Sequence, residues 1–203
     1  MLVMNLWGYN KIMKTVYFAT SNQEKIQIAQ TVCSEAGITV KPVAIDIDEI
    51  QGEDPEVIVR DKAHRAYEKL GMPVVVSDDT WDITALKGFP GAYMKSINYW
   101  FAPEDFLRLM EGAKDRRIIL HQYLAYTDGN VTQVFENDIQ GQIINEARGN
   151  NEASPNMTVT VLDCDNGKTI AEVFEQGADA VIARYKNQPD AWHGFVEWYK
   201  KVQ

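Results

Sequence analysis

Apolar residues fall into short blocks along the chain, and each block leads through a polar turn into a stretch of helical periodicity. Thr15–Ala19 is β-branched and aromatic and reads as a strand. Thr20-Ser21-Asn22 then supplies N-cap chemistry, and Gln23–Ala36 sets Ile26, Ala29, Cys33 and Ala36 on one helical face. Gly37 stands where a left-handed residue commonly ends a helix. Thr39–Ile45 predicts a second strand. Asp54 as N-cap, with Pro55 at the first helical position, opens a second helix. Its stripe is Val59, Ala63, Ala66, Tyr67 and Leu70, and Gly71 stops it. Pro73–Val76 is wholly apolar, the pattern of a short strand buried on both faces.

After the turn Gly88-Phe89-Pro90-Gly91, the pattern predicts helices near Ala92–Trp100 and Pro103–Met110. Arg117–Thr127, a turn at Asp128-Gly129-Asn130, and Val131–Glu136 predict a hairpin. Ile139–Ile144 and Met157–Leu162 are further strand candidates, and an amphipathic helix is predicted near Ala191–Lys201. Two strand–helix–strand passages in the first part imply α/β architecture with some parallel pairing. No internal repeat, low-complexity tract or linker interrupts the pattern. Met1–Ile12 has one basic residue, Lys11, and no continuous apolar run, unlike a secretory signal. Residues 1–12 are therefore read as an extension, tag or misassigned start, and residues 13–203 as a single α/β domain.

Charge narrows the functional classes. Lys and Arg number 20 against 29 Asp and Glu, a net charge of −9. Such a surface repels a phosphate backbone, so duplex nucleic acid is not the expected partner. A phosphorylated small molecule can still bind where local lysines or a metal override the global field. No apolar run approaches the ~20 residues needed to cross a bilayer, so no membrane partner is expected. Two cysteines, Cys33 and Cys164, are too few for a disulfide scaffold and suit a reducing, cytoplasmic setting.

Three polar segments follow three predicted strands, where ligands gather in open α/β sheets. Thr20-Ser-Asn-Gln-Glu-Lys25 is either an ordinary N-cap with a solvated lysine or an anion site. Asp46–Asp54 packs five carboxylates into nine residues. Asp78-Asp79-Thr80 follows the apolar Val74–Val76, and carboxylates there are costly unless paired or metal-bound. Both acidic segments also read as solvated turns. Mg²⁺ takes one or two carboxylates and completes its shell with water and phosphate oxygens. Lys62 borders the apolar stripe of the second helix, and Lys95 follows the glycine-rich turn. Either lysine would snorkel or reach the same sheet edge. Other signals fail: Leu162 stands where a P-loop before Gly167-Lys168-Thr169 needs glycine, Asp163–Gly167 misplaces the calcium-loop glycine, and three histidines lack zinc spacing.

These segments, in order, resemble the inosine/xanthosine triphosphate pyrophosphatase family. The resemblance is carried by Thr20-Ser-Asn-Gln-Glu-Lys25, Glu49-Ile-Gln-Gly-Glu53, Ser77-Asp-Asp-Thr80 and Gly88-Phe-Pro-Gly-Ala-Tyr-Met-Lys95. It implies a mixed twisted sheet flanked by helices, with two lobes and a cleft between them, in a homodimer. It also implies Mg²⁺-dependent hydrolysis of a non-standard purine nucleoside triphosphate to monophosphate and pyrophosphate. Carried over by position, Glu49, Asp79 and Asp78 are the metal-site acids, and Asp79, Glu49 and Lys25 the catalytic set. Thr20, Ser21, Asn22, Lys25, Lys62, Thr80 and Lys95 are expected at the substrate, with Lys186 and His193 as traces of the family's terminal motif.

The second half departs from that pattern. Ala147-Arg148-Gly149 is followed by Asn150–Met157, which lacks the family's aromatic-Asp-Pro core, and the terminal Ser-His-Arg survives only as His193. The phosphate half reads as intact and the base half as rebuilt, with Trp192, His193 or the Asn150–Met157 loop as replacements. Two other readings remain: a nucleotide-binding regulator without turnover, and a hydrolase of a different phosphorylated substrate.

Overall fold

Val74, Val75 and Val76 have no solvent exposure, and consecutive members of this run enter different cores. They begin the strand around which the fold is built. The structure, a computed structural model, describes residues 14–187 and 190–202. The segment 1–12 lies outside the described residues.

Strand β1 (Lys14–Ala19) runs into helix α1 (Gln23–Glu35), whose N-cap Asn22 accepts hydrogen bonds from the Glu24 and Lys25 backbone N–H groups. Strand β2 (Ile38–Val43) returns parallel to β1. Asp54 caps helix α2 (Pro55–Leu70), and Gly71 ends it with φ 64°, a conformation that glycine adopts without strain. Strand β3 (Val74–Ile83) pairs in parallel with β1 through only Tyr17↔Val74 and Phe18↔Val75. On its other side it is antiparallel to β5 (Arg117–Thr127) along its whole length. The short strand β4 (Pro90–Gly91) covers the far end of β3 at Trp81 and Asp82. Between β4 and β5 lie helices α3 (Met94–Trp100) and α4 (Pro103–Leu109). Strand β6 (Thr132–Ile143) completes a hairpin with β5. A single turn, α5 (Asn156–Val159), leads into β7 (Thr160–Leu162). Helices α6 (Ile170–Glu175), α7 (Ala178–Asn187) and α8 (Ala191–Val202) close the chain. The sheet order is β2-β1-β3-β5-β6-β7, mixed in direction.

Three apolar clusters divide this sheet into two lobes. In the first lobe, α1 and α8 pack on one face around Val16, Phe18, Val75 and Phe195, and α2 packs on the other around Val59, Ala63, Val74 and Val76. In the second lobe, α3 and α4 pack Met94, Ile97 and Phe106 against Trp81, Ile83, Ile118 and Ile139. Strands β3 and β5 run through both lobes. Residues Ser77–Thr80 lie between the two, past the end of β1 and before β4, so one edge of β3 is uncovered there.

Four expectations are corrected. The strand expected to stop at Val76 continues to Ile83, because Ser77–Thr80 keep their pairing with β5 while one edge opens between the lobes. The second strand ends at Val43 rather than Ile45. The strands expected at Val131–Glu136 and Ile139–Ile144 are one, since Asn137 and Asp138 hold ladder positions opposite Gln122 and His121. Met157–Leu162 is half helix and half strand, with Thr160 Oγ1 donating to Asn156 O at 2.8 Å across the junction.

Candidate active site

The interrupted edge of β3 sets the site. Asp78 and Asp79 stand mid-strand, on the stretch between the lobes. Lys25 lies in the first turn of α1 because Asn22 caps that helix and Thr20 Oγ1 accepts from Asn22 N–H at 3.1 Å. From there its Nζ reaches Asp79 Oδ2 at 2.9 Å. Lys62, on α2 one turn after the buried Ile58 and Val59, extends to the same edge. Its side chain is only 13% exposed; it donates to Ser77 O at 3.1 Å and pairs with Glu49 Oε1 at 2.7 Å. Glu49 belongs to the acidic loop after β2, which is tied to α2 by a hydrogen bond from Lys69 Nζ to Asp46 O.

Glu49, Asp78, Asp79 and Lys95 line one cleft of about 640 Å³, together with Asn98, Tyr99, Trp100 and Glu152. That volume suits a small organic ligand. A second recess, about 60 Å³, shares Asp79 with it and is walled by Lys25, Gln122, Tyr123, Asp190 and Trp192.

The electrostatics of the group are mutual. Burial would lower the Lys25 pKa, but Asp79, Asp78 and Glu49 outweigh it and hold the ammonium above its usual range. Burial would raise Glu49, yet the Lys62 hydrogen bond and charge, with Lys95 and Lys25, bring it below the usual carboxylate value. Asp78 goes the other way: burial pushes it up, against Lys62 and Lys25, and its acidic neighbours Asp79 and Glu49 add to the rise. Among the described residues, no three His, Cys, Asp or Glu side chains form a ready-made metal cluster. Two of the three expected metal acids, Glu49 and Asp79, are each held by a lysine instead.

The other expected site residues divide. Asn22 is committed to capping α1, with Thr20 supporting the turn beside the exposed Ser21. Thr80 is 2% exposed and does not line the cleft. Asp190 caps α8: its Oδ1 accepts the His193 backbone N–H, and the His193 Nδ1 lies 2.7 Å from the same oxygen, so His193 is committed to the helix start. His193 lines neither cavity, whereas Asp190 and Trp192 line the small recess. Trp192 packs edge-on against Phe18 at 4.9 Å. The side chain of Lys186 lies outside the described residues. The Asn150–Met157 loop does reach the cleft, through Glu152 and Ala153. Sequence reasoning missed Asn98, Tyr99 and Trp100; their one available signal was that Tyr99 and Trp100 fall outside the Met94–Ile97 apolar stripe. It also missed Asn156, whose buried amide has no partner among the described residues.

Comparison with known proteins agrees with the fold. The family model described as the Ham1 family matches residues 16–188. The chain is 32% identical over 186 residues to a dITP/XTP pyrophosphatase of Methanopyrus kandleri, covering 91% of this chain and 96% of that one. It is likewise 32% identical over 133 residues to an inosine triphosphate pyrophosphatase of Tuber melanosporum, covering 64% and 72%. A HAM1 protein structure from Coxiella burnetii superposes with TM-score 0.72 at 20% identity, over 93% of this chain and all of that one. No helix among the described residues is long and apolar enough to cross a membrane. With a family match spanning both lobes and every element that builds the cleft, the chain belongs to the Ham1 family.

Proposed function

We propose that the protein hydrolyses a non-standard purine nucleoside triphosphate to the monophosphate and pyrophosphate, as the names of its relatives indicate for those proteins. The observation that carries this reading is the set of pairs Lys25–Asp79 and Lys62–Glu49 on a cleft that also holds Asp78 and Lys95. A triphosphate entering there competes with Asp79 and Glu49 for the two ammonium groups. Phosphate oxygens take the lysines, which act as point charges without demanding planar geometry. The carboxylates they release, with Asp78, form a donor set that suits Mg²⁺, which needs only one or two carboxylates when phosphate and water complete its shell. That ion, when bound, supplies charge neutralisation at the attacked phosphorus and the departing pyrophosphate. Asp79, freed from Lys25, accepts a proton through Oδ2 from the water that attacks the α-phosphorus. The bond to the β-phosphate breaks, and pyrophosphate leaves.

The base is gripped by different means. Phosphate contacts bind every triphosphate tail alike and give no discrimination. Strong rejection of a wrong base needs buried polar groups that the right base alone satisfies. The two family motifs expected to supply them are altered here. Preference for inosine triphosphate over ATP and GTP is therefore expected below about a thousandfold in kcat/KM, roughly 4 kcal/mol. A cytoplasmic homodimer belongs to the same reading. The test is pyrophosphate release from a panel of nucleoside triphosphates with Mg²⁺ and with chelator. Release that requires Mg²⁺ supports the proposal. Tight nucleotide binding without turnover, or turnover of an unrelated phosphate ester only, overturns it.

A further inference from the structure

Helix α3 has two faces of different chemistry. Met94 and Ile97 are buried in the second lobe, and Phe101 just beyond turns inward to pack edge-on against Phe106 at 5.3 Å. Lys95, Asn98 and Tyr99, at i, i+3 and i+4, share the opposite face and line the cleft, joined by Trp100. Tyr99 is 85% exposed and Trp100 68%. Large exposed aromatic surface on the wall of a cleft calls for an occupant.

We propose that Tyr99 and Trp100 form the stacking platform for the nucleobase of the bound nucleotide. This inference rests on the reading that a nucleoside triphosphate occupies the cleft. Lys95 marks the phosphate end of α3, and Tyr99 lies one turn on, about 6 Å at 1.5 Å per residue. That is the span of a ribose between a phosphate and a base. Beside α3 the Asn150–Met157 loop contributes Glu152 and Ala153, neither of them aromatic, so among the described residues lining this cleft the aromatic rings are those of Tyr99 and Trp100. Asn98 stands between the lysine and the aromatic pair and accepts a hydrogen bond from Asn156 N–H at 3.2 Å. The Asn156 side-chain amide behind it is 1% exposed with both polar atoms unpartnered among the described residues. Polar groups beside an apolar platform are what fixes the orientation of a ligand. Because every base has a π-face, stacking is tolerant of base identity. The platform therefore accounts for binding while leaving discrimination weak.

The experiment compares ligands with and without a base. Dissociation constants for inosine triphosphate and for inorganic tripolyphosphate are measured by equilibrium dialysis on the wild type, Tyr99→Ala, Trp100→Ala, the double variant and Trp100→Phe. The expected result is a loss of about tenfold or more in inosine triphosphate affinity for each alanine variant, with tripolyphosphate unchanged and Trp100→Phe close to wild type. Equal affinity for inosine triphosphate in the double variant overturns the platform. So does parallel weakening of both ligands, which would mark a general disturbance of α3 and Lys95. A shift from dimer to monomer on size exclusion with nucleotide affinity intact assigns the aromatics to a subunit contact and also overturns it. The readout is binding, so absence of pyrophosphate release by the wild type would defeat the proposed reaction and leave the platform separately decided.

Discussion

Replacing Lys62 by methionine separates its part in the fold from its part at the substrate. Methionine keeps an apolar stem against Val59 and Ala66 and removes only the charge. It leaves Glu49 without its 2.7 Å partner and Ser77 O without its 3.1 Å donor. A fully buried carboxylate stranded in this way costs about 3–5 kcal/mol. Glu49 retains 37% exposure, so water recovers much of that, and the expected loss of stability is about 1–2 kcal/mol. Glu49 has its pKa held below the ordinary 4.5, so its contribution is complete above about that pH and is lost as acid carries the solution through the folded-state value. The stability gap between wild type and Lys62→Met is therefore expected to narrow below pH ~4.5. If Lys62 passes to the phosphate chain when substrate binds, the same change lowers kcat/KM by about 10²–10³. Urea unfolding at several pH values measures the first effect, and initial rates of pyrophosphate release the second. The double variant Lys62→Met/Glu49→Gln is decisive: with neither charge left alone, stability returns to within about 1 kcal/mol of wild type, while activity does not return. Activity within threefold of wild type in Lys62→Met would refute the assignment.

Three further outcomes are expected. Asp78→Asn raises stability at neutral pH, because burial disfavours the native carboxylate; the gain fades on acidification, as Asp78 becomes protonated in both folded and unfolded states, and turnover falls at least tenfold. Thermal melts at pH 7 and pH 4 test it, and a gain that grows with acid has the wrong sign. Arg184→Leu strands Asp165, which it meets at 2.6 and 2.8 Å with side-chain exposures of 4% and 1%, and should cost about 3–5 kcal/mol; adding Asp165→Leu should restore much of it, and no recovery in that double variant contradicts the argument. Gly141→Ala places a Cβ 2.5 Å from Val161 O on the neighbouring strand β7, an overpacking expected to cost about 1–3 kcal/mol, so an unchanged urea midpoint would count against the tight β6–β7 approach.

Local signals located most of the first lobe because they act within a few residues. The Asn22 cap, the Asp54-Pro55 start and the Gly71 stop all do in the structure what their chemistry predicts. The pattern misled where tertiary context overrides it. In β3, polar Ser77–Thr80 resembled a strand end, yet β5 continues to pair with them and the polarity marks the gap between lobes. In β6, Asn137 and Asp138 looked like a break but point from a hairpin whose ladder is unbroken. At residues 157–162, an apolar β-branched run carries no periodic sign of whether it is helix or strand. A buried turn, closed by Thr158 Oγ1 to Pro155 O at 2.8 Å, settles the first half as helix.

The site was legible in charge and illegible in apolar chemistry, and the reason lies in what each kind of residue requires. Five of the charged residues singled out from the sequence, Glu49, Asp78, Asp79, Lys25 and Lys62, meet because carboxylates and ammonium groups on a partly buried edge must neutralise one another. Their order along the chain already implied a common target. Tyr99 and Trp100 gave one weaker hint, their place outside the Met94–Ile97 stripe, which does not say whether an aromatic at a helix end fills a second core or a ligand site. Only the inward turn of Ile97 and Phe101 shows that the adjacent rings face the cleft. The pairing of acids and lysines also explains how a chain of net charge −9 can receive a polyanion. Around the cleft, Lys25, Lys62 and Lys95 offset all but one of the four acids Glu49, Asp78, Asp79 and Glu152, so the local field is far from that of the whole molecule. An incoming phosphate replaces a carboxylate at an ammonium group already in place, and the cost of bringing negative charge between the lobes is met by partners the fold has positioned beforehand.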